Sequence, residues 1–277
     1  MPSTKVKKSA IILDGKELAD KMRLSIRKEI IELPSPPGLA AALIGDDEAS
    51  KIYIRLKEKA CAQVGVEFHK YLCNKDCYKD ISEAELIEMI KFLNNDPSIN
   101  GILVQLPLPK KYNADKITKT IAKAKDADGF IADNPNIIPP TIAAIIELLK
   151  ATGEQLTDKK TVIIGKSDIF TKGLKKYLAQ KLQIKDVKEI KKADEQTKNF
   201  DIIIIALGQA GVLKKNQVKA GAIVIDVGIN KVKDKTVGDV DPKVAEVAGW
   251  LSPVPGGVGP LTVACLLRNV LTLAKRK

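Results

Sequence analysis

The sequence contains a single histidine, His69, among 277 residues. A Ser-His-Asp or Cys-His active site would have to use this residue, and a zinc helix with two histidines is excluded. His69 lies between Phe68 and Tyr71 in a segment that reads as a strand, so we expect it to be structural. Acid–base chemistry is therefore expected from Lys, Asp, Glu or Tyr.

Long apolar runs are also missing. The run around Ile202 to Leu207 is far shorter than the roughly 20 residues that a membrane helix needs. The stretch from Met1 to Lys16 carries Lys residues but no apolar core of a secretory signal. These features predict a cytoplasmic protein with no membrane partner.

Arginine and aromatic residues are scarce in a chain of net charge +12, with only five Arg and 4% aromatics. Base reading and bidentate phosphate contacts favour Arg, and stacking on single strands needs aromatic rings. The Lys residues are spread along the chain, so we expect no nucleic-acid partner. A Lys-rich nucleic-acid binder stays an alternative, as does attraction of small polyanionic ligands by the surplus charge.

Cysteine is limited to four residues, of which Cys61, Cys73 and Cys77 flank His69. Three-residue gaps between soft ligands resemble zinc spacing, but the paired Cys-x-x-Cys knuckles of a structural zinc site are missing. We expect free thiols and no metal, with a zinc site as the alternative.

What is present is the composition of an ordinary globular protein, 45% hydrophobic and 29% charged, in a length that suits about two domains. Strand and helix patterns alternate throughout, which predicts parallel α/β sheets. The expected strands are 39–44, 66–72, 101–106, 161–164, 201–207 and 222–227, and the expected helices are 18–31, 50–64, 82–93, 141–151, 168–182 and 261–277.

A break at Pro139-Pro140 separates two α/β lobes. We expect a first domain of residues 1–138, with helix 261–277 packing back on it, and a Rossmann-like domain of residues 139–260. A ligand cleft between the lobes is the expected site, because open α/β sheets bind at the carboxyl ends of their strands.

Three segments of the first lobe could carry chemistry. Tyr53 and Lys57 are four residues apart and share a helix face, where a partly buried amine would have a lowered pKa. Gln105 ends a buried strand before Pro107-Leu108-Pro109, an expensive place for an amide. The segment 125–130 places two carboxylates, Asp126 and Asp128, before a Gly turn, and one could bind a donor-rich heterocycle. A solvated helix face, a loop-binding Gln and an acidic turn are the respective structural alternatives.

Two segments of the second lobe suggest ligand contacts. Strand 161–164 leads through Gly165-Lys166-Ser167 into a helix, which makes an anion site but lacks the full G-x-G-x-x-G fingerprint. The segment 253–260 holds three Gly and three Pro and opens the last helix, so it predicts a rigid loop with exposed backbone amides.

Taken in order, these five segments resemble the bifunctional methylenetetrahydrofolate dehydrogenase/cyclohydrolase (FolD) family over nearly the whole chain. The most specific matches are Gly101 to Pro109, Ile225 to Asn230 and Pro253 to Pro260. The resemblance implies NADP-dependent oxidation of 5,10-methylenetetrahydrofolate, with NAD as the alternative dinucleotide, and hydrolysis of the methenyl product to 10-formyltetrahydrofolate. It also implies a homodimer and tetrahydrofolate substrates, including polyglutamylated ones.

The resemblance assigns a role to particular residues. It implies that Lys57 is the cyclohydrolase catalyst, that Gln105 tunes it by hydrogen bonding, that Tyr53 stacks on the folate and that Asp128 holds the pterin. Substrate contacts are implied for Val104, Leu106, Pro255, Gly256, Gly257, Val258 and Gly259, and dinucleotide contacts for Gly165, Lys166, Ser167 and Ile229.

The sequence departs from the family pattern around the dinucleotide. The usual G-R-S turn followed by V-G-x-P is replaced by Gly165 to Gly173, with the acidic Asp168 near the expected phosphates. The usual C-H-S-x-T stretch is replaced by Lys185 to Lys192, and P-C-T-P-x-G by Ile138 to Ala143. A cyclohydrolase without dinucleotide binding and a non-catalytic folate-binding relative are therefore alternatives.

Overall fold

The computed structural model describes residues 9–74, 81–131, 134 and 136–276. The chain divides into two compact units. The six-stranded unit comprises Met1–Leu18 and Thr141–Thr262, and the three-stranded unit comprises Ala19–Pro140 and Val263–Lys277. We expected the N-terminal residues in the first domain, residues 1–138. Strand β1 (Ile11–Ile12) belongs instead to the six-stranded unit, because it pairs with β11 (Trp250–Leu251) of that sheet.

The three-stranded unit is built around β2 (Gly38–Ile44), which pairs in parallel with β3 (Glu67–Cys73) on one side and β4 (Ile99–Val104) on the other. All seven residues of β2 are buried, as expected for a parallel strand covered on both faces. Alternate residues belong to two separate apolar cores, Leu39 to one and Ala40 to the other.

Helices supply the rest of both cores in this unit. Residues of α1 (Gly15–Ile31), α2 (Glu48–Val64) and α7 (Val258–Ala274) form one core. Residues of α3 (Glu83–Asn95) and α4 (Ala114–Lys119) form the other. The expected return of the C-terminal helix to the first lobe is confirmed.

Helix ends in this unit follow their local sequence signals. The capping box between Ser82 and Glu85 at the start of α3 is confirmed. Asp47 caps α2 by accepting a hydrogen bond from the Ser50 amide at 2.7 Å, and Gly65 ends α2 in the left-handed region with φ of 90°. Local chemistry therefore fixes the helix that carries Tyr53 and Lys57.

The six-stranded sheet has the order β1-β11-β8-β7-β5-β6, and every recorded pairing is parallel. Its remaining strands are β5 (Thr161–Gly165), β6 (Val187–Ile190), β7 (Ile202–Ala206) and β8 (Ile223–Asp226). Two helices, α5 (Pro140–Ala151) and α6 (Asp168–Leu182), and an antiparallel hairpin of β9 (Asn230–Val232) and β10 (Lys235–Val237) complete the named elements. The predicted parallel α/β class is confirmed.

The carboxyl ends of α1 and α7 are joined by an ion-pair cluster within the three-stranded unit. Glu29 accepts hydrogen bonds from Arg268 and, at 2.8 Å, from the Lys275 ammonium. These two cations lower the pKa of Glu29 from 4.5 to about 2. The charged form of Glu29 therefore helps to fix α7 on this unit.

We expect Glu29→Gln to lower the free energy of unfolding by about 1 kcal/mol at pH 7, since such partly exposed ion pairs contribute little more. The depressed pKa means that the stabilisation is fully present above pH 4.5 and is lost as the pH falls towards 2. Urea unfolding of both proteins at pH 7 and at lower pH measures the difference. Glu32→Gln, at an exposed position just beyond α1, is the control, and a pH-independent difference for Glu29→Gln would contradict the assignment.

Candidate functional site

Lys57 lies on α2 one turn after Tyr53, and both side chains are partly buried. The Lys57 Nζ donates a hydrogen bond of 2.9 Å to Oε1 of Gln105, which is 48 residues away in sequence. Cys61, one turn further along α2, is fully buried. The expected shared face of Tyr53 and Lys57 therefore meets the end of strand β4.

Gln105 follows β4 directly and is fixed at both its backbone and its side chain. Its amide N–H donates to the Ala42 carbonyl at 2.9 Å, and its Nε2 donates to the Leu106 carbonyl at 2.8 Å. Because Nε2 is used in this way, Oε1 is directed at Lys57. Val104 before it is fully buried, whereas Leu106 after it is 38% exposed, and β4 ends at Val104 rather than at the expected Leu106.

Asp128 lies on a loop that is shaped by its neighbour Asp126. The fully buried Asp126 carboxylate accepts hydrogen bonds from the amides of Phe130 at 3.1 Å and Ile131 at 2.7 Å. The loop is also tied to β4 by a parallel bridge between Asp126 and Ile102. Of the two carboxylates in this segment, that of Asp126 therefore holds the loop.

Asn269 on α7 supports the same loop and is a residue that the sequence analysis did not single out. Its Nδ2 donates to the carbonyls of Ala127 and Ile138, each at 2.9 Å, and the residue is only 6% exposed. The sequence does carry a signal for Asn269, because burying a side-chain amide within the apolar run of α7 costs free energy unless the amide finds hydrogen-bond partners.

Burial shifts the pKa of Lys57 and of two further side chains, Asp128 and Tyr53. Burial lowers the pKa of Lys57, and the negative charge of Asp128 opposes this shift. Burial raises the pKa of Asp128 to about 6, against the attraction of Lys57 and with the repulsion of Asp126. Burial also raises the pKa of Tyr53. The cluster therefore offers an amine that gives up its proton more readily than an ordinary lysine, beside a carboxylate that is charged at neutral pH.

In the six-stranded unit, Gly165 is the last residue of β5, one residue beyond the expected strand end, and Lys166 and Ser167 lead from it to α6. The Ser167 Oγ accepts a hydrogen bond from the Phe170 amide at 3.3 Å and so caps α6. A Cβ at Gly165 would lie 2.9 Å from the Thr171 methyl group, so this tight turn needs glycine. The N-terminus of α6 thus presents backbone amides and a favourable dipole to an anion.

The acidic Asp168 in the first turn of α6 is paired with Lys191. The Lys191 ammonium donates to the Asp168 carboxylate and, at 3.2 Å, to the Lys166 carbonyl, and it lowers the pKa of Asp168. Lys191 reaches this place because Ile164 of β5 is in register with Ile190 of β6. The sequence analysis treated this stretch only as lost ligands, whereas the structure shows a cation that compensates the carboxylate.

The remaining predicted contacts also lie in the six-stranded unit. Ile229 is exposed between β8 and β9. In the Gly/Pro segment, Pro255 is exposed, Gly256 and Gly259 are partly buried, and Gly257 and Val258 are buried. The Gly257 amide donates to the Pro253 carbonyl at 2.8 Å, and the Gly256 carbonyl accepts from the Lys16 amide at 2.9 Å. These two backbone hydrogen bonds fix the segment locally, and the Gly257 amide is already used by the fold.

Within the described ranges, no group of three or more His, Cys, Asp or Glu side chains could hold a metal ion. Cys77 of the zinc alternative lies outside the described residues, while Cys61 and Cys73 are buried. In the same part of the chain, no helix combines the length and the apolar character that crossing a bilayer requires.

Comparison with known proteins relates both units to one family. Residues 13–128 match the tetrahydrofolate dehydrogenase/cyclohydrolase catalytic domain, and residues 139–277 match the NAD(P)-binding domain of the same family. The bifunctional protein FolD of Brevibacillus brevis is 40% identical over 284 residues, covering 97% of this chain and 99% of that protein. The FolD protein of Nitratiruptor sp. is 41% identical over 281 residues, covering 96% and 98%.

Solved structures agree with these matches. The FolD methylenetetrahydrofolate dehydrogenase/cyclohydrolase of Campylobacter jejuni has a TM-score of 0.90 at 36% identity, covering 97% of this chain and 99% of that one. The Trypanosoma brucei enzyme, solved with NADP cofactor and inhibitor, has a TM-score of 0.88 at 31% identity, covering 100% and 99%. The chain therefore belongs to the tetrahydrofolate dehydrogenase/cyclohydrolase family.

Proposed function

We propose that this chain oxidises 5,10-methylenetetrahydrofolate with NADP and hydrolyses the 5,10-methenyl product to 10-formyltetrahydrofolate. The observation that carries the proposal is the hydrogen bond of 2.9 Å from Lys57 to Gln105, in the unit that matches the family's catalytic domain. Family membership supports both reactions, since both family domains match this chain.

Lys57 is the proton carrier of the hydrolysis. As the oxygen of water bonds to the methenyl carbon, the Lys57 amine accepts a proton from that water. The bond from this carbon to N5 of the pterin then breaks as N5 receives that proton from Lys57. The hydroxyl group on the carbon releases its own proton to water as the C=O bond forms, which leaves the formyl group on N10. The lowered pKa of Lys57 suits this exchange, and the Gln105 oxygen keeps the amine in place.

Asp128 and Tyr53 bind the substrate in this proposal. A charged carboxylate accepts paired N–H bonds from a donor-rich pterin edge, and Asp128 is charged above a pH of about 6. Tyr53, on the same helix face as Lys57, offers its ring for stacking. Val104 and Leu106, on either side of Gln105, are the neighbouring contacts.

The dinucleotide binds to the six-stranded unit in this proposal. NADP, when bound, supplies the hydride acceptor that turns the methylene group into the methenyl cation. Gly165, Lys166 and Ser167 offer the α6 N-terminus and a lysine to its phosphates, with Asp168 compensated by Lys191. The roles of Ile229 and of residues 255–259, the homodimer, polyglutamylated substrates and a cytoplasmic location stay predictions.

Lys57→Met is expected to abolish methenyltetrahydrofolate hydrolysis, with a loss of at least about a hundredfold, because it removes the proton carrier. NADP-dependent oxidation of methylenetetrahydrofolate should continue, since hydride transfer needs no acid or base. Lys59→Met, at an exposed position on the same helix, is the control. Decay of the methenyl absorbance measures the reaction, and hydrolysis at the normal rate by Lys57→Met would refute the role of Lys57.

Asp128→Asn is expected to lower the pKa of Lys57, because the Asp128 charge favours the ammonium form. The rate at which an acylating reagent labels Lys57, followed by mass spectrometry across pH, reports this pKa without any folate. The inflection point of the Lys57 labelling rate plotted against pH should move to lower pH in the variant. Labelling of the exposed Lys59 in the same samples is the internal control, and an inflection that stays in place or rises would contradict the charge coupling.

Titration calorimetry with NADP and with NAD tests the dinucleotide site. Lys191→Ala should weaken NADP binding about threefold to tenfold, because it leaves the Asp168 carboxylate uncompensated at the α6 N-terminus. Adding Asp168→Asn to this variant should restore most of the affinity. Lys192→Ala, at the next exposed position, is the control.

If the unmodified protein binds neither NADP nor NAD, the proposed dehydrogenase activity is wrong and only the cyclohydrolase activity remains. Normal NADP affinity in Lys191→Ala would show that the Asp168–Lys191 pair does not act on the dinucleotide.

A further inference from the structure

The six-stranded sheet reverses its direction of growth next to β5. The chain passes from β5 outward to β6 and then returns across β5 to β7 and β8. Ligands of open parallel sheets bind where the carboxyl ends of the strands flank such a reversal, here between β5 and β7. Gly165 is in register with Ala206, so the turn at residues 165–167 and the loop at residues 207–211 border this point.

Asp239, two residues after β10, places its carboxylate against the backbone of the 207–211 loop. It accepts hydrogen bonds from the amides of Leu207 at 2.6 Å, Gly208 at 3.0 Å and Gln209 at 2.7 Å. It also accepts one from Nδ2 of Asn230 at 2.9 Å. Asp239 is fully buried, and a carboxylate is tolerated in such a place only when its oxygens are satisfied in this way.

A second buried carboxylate fixes the segment that bears Asp239. Asp226, at the end of β8, accepts hydrogen bonds from the amides of Gly228 at 2.9 Å, Asp239 at 3.0 Å and Val240 at 2.9 Å. A Cβ at Gly228 would lie 2.1 Å from the Asp239 carboxyl carbon, and one at Gly238 would lie 1.8 Å from an Asp226 oxygen. Glycine at both positions lets the two carboxylates reach the backbone.

The hydrogen bonds from the amides of residues 207–209 to Asp239 determine which kind of ligand group the 207–211 loop can bind. The amides of residues 207–209 already bind an anion, the Asp239 carboxylate, and so are not available to a phosphate. Gly208 and Gly211 have positive φ, at 63° and 61°, and residues 208–210 are exposed. The amides of residues 207–209 therefore suit an uncharged group at this loop better than an anion, whereas the N-terminus of α6 favours an anion through its dipole and those first-turn amides that Ser167 does not cap.

We propose that Asp239 is a positioning residue of the dinucleotide site, which holds the 207–211 loop so that it takes the uncharged nicotinamide–ribose part while the α6 N-terminus takes the phosphates. This inference rests on the proposed NADP-dependent function. The Asp239 carboxylate acts through the loop and touches no reacting atom. As a result, the nicotinamide–ribose part of NADP lies at the 207–211 loop and its phosphates lie at the turn of residues 165–167.

Asp239→Asn tests the proposal in the full chain, because the amide has one acceptor oxygen where the carboxylate has two. We expect NADP to bind about tenfold more weakly, the effect of one or two lost buried hydrogen bonds. The fragment 2′,5′-ADP lacks the nicotinamide and should bind as tightly as to the unmodified protein. Hydrolysis of methenyltetrahydrofolate, which depends on Lys57, should be unchanged.

Asp201→Asn is the matched control. Asp201 lies at the amino end of β7, where its carboxylate also accepts a backbone amide, from Lys160 at 2.9 Å. This variant should bind NADP normally. Should Asp239→Asn fail to fold, Asn230→Ala removes a single donor from the same carboxylate and should weaken NADP about twofold to threefold while sparing 2′,5′-ADP.

Normal NADP affinity in both Asp239→Asn and Asn230→Ala would overturn the inference, as would equal weakening of NADP and 2′,5′-ADP, or equal weakening in Asp201→Asn. The proposed function fails by a different result, namely no NADP binding by the unmodified protein. If NADP binding is weakened only in the Asp239 and Asn230 variants, the result supports both the proposed NADP-dependent function and the positioning role of Asp239.

Discussion

The chemistry proposed for the three-stranded unit depends on a lysine amine whose hydrogen-bond partner is a neutral amide. A carboxylate in direct contact with Lys57 would stabilise the ammonium form and keep its pKa high. Gln105 fixes the position of Nζ at 2.9 Å without adding a negative charge, so burial can lower the pKa. The one nearby carboxylate recorded as opposing this shift, Asp128, acts through its charge. The position and the protonation of the Lys57 amine are thus controlled by different residues, which suits the role proposed for it of both taking and giving a proton.

Buried carboxylates are used in both units as internal ligands for loop backbone. Asp126 holds the loop that carries Asp128, and Asp239 holds the loop that follows β7. Irregular loops lack the hydrogen-bond ladder of a strand or helix, and a carboxylate with two oxygens can satisfy several adjacent amides at once. Such loops can therefore hold one conformation without regular secondary structure.

Charge in the six-stranded unit is balanced locally rather than by the overall surplus of lysine. Asp168 stands where an anionic ligand would meet the α6 N-terminus, and the sequence alone makes this carboxylate look unfavourable. Lys191 neutralises it and also contacts the Lys166 carbonyl at 3.2 Å. A departure from the usual motif in one segment is thus matched by a cation from the next strand of the sheet.

The sequence by itself determined the elements that have a local signal. Short continuous apolar runs predicted the central strands, and the Ser82–Glu85 capping box and Gly65 marked helix ends. Four-residue spacing placed Tyr53 and Lys57 on one face. The family resemblance rested most on Gly101 to Pro109, Ile225 to Asn230 and Pro253 to Pro260. Strand β1 escaped prediction, because two residues are too few to show a period.

Only the tertiary structure decided which groups meet across the chain. Gln105 finds Lys57 across 48 residues, and Asn269 finds Ala127 across 142, because parallel strands end at one edge of a sheet and α7 packs on it. Lys191 meets Asp168 through the register of β5 and β6. Asp239 reaches the amides of residues 207–209 because glycines let its segment approach. Periodicity and helix caps depend on residues that are close together in the sequence. The partners named here are far apart in the sequence and meet only through packing, and a sequence pattern does not say which distant residues come into contact.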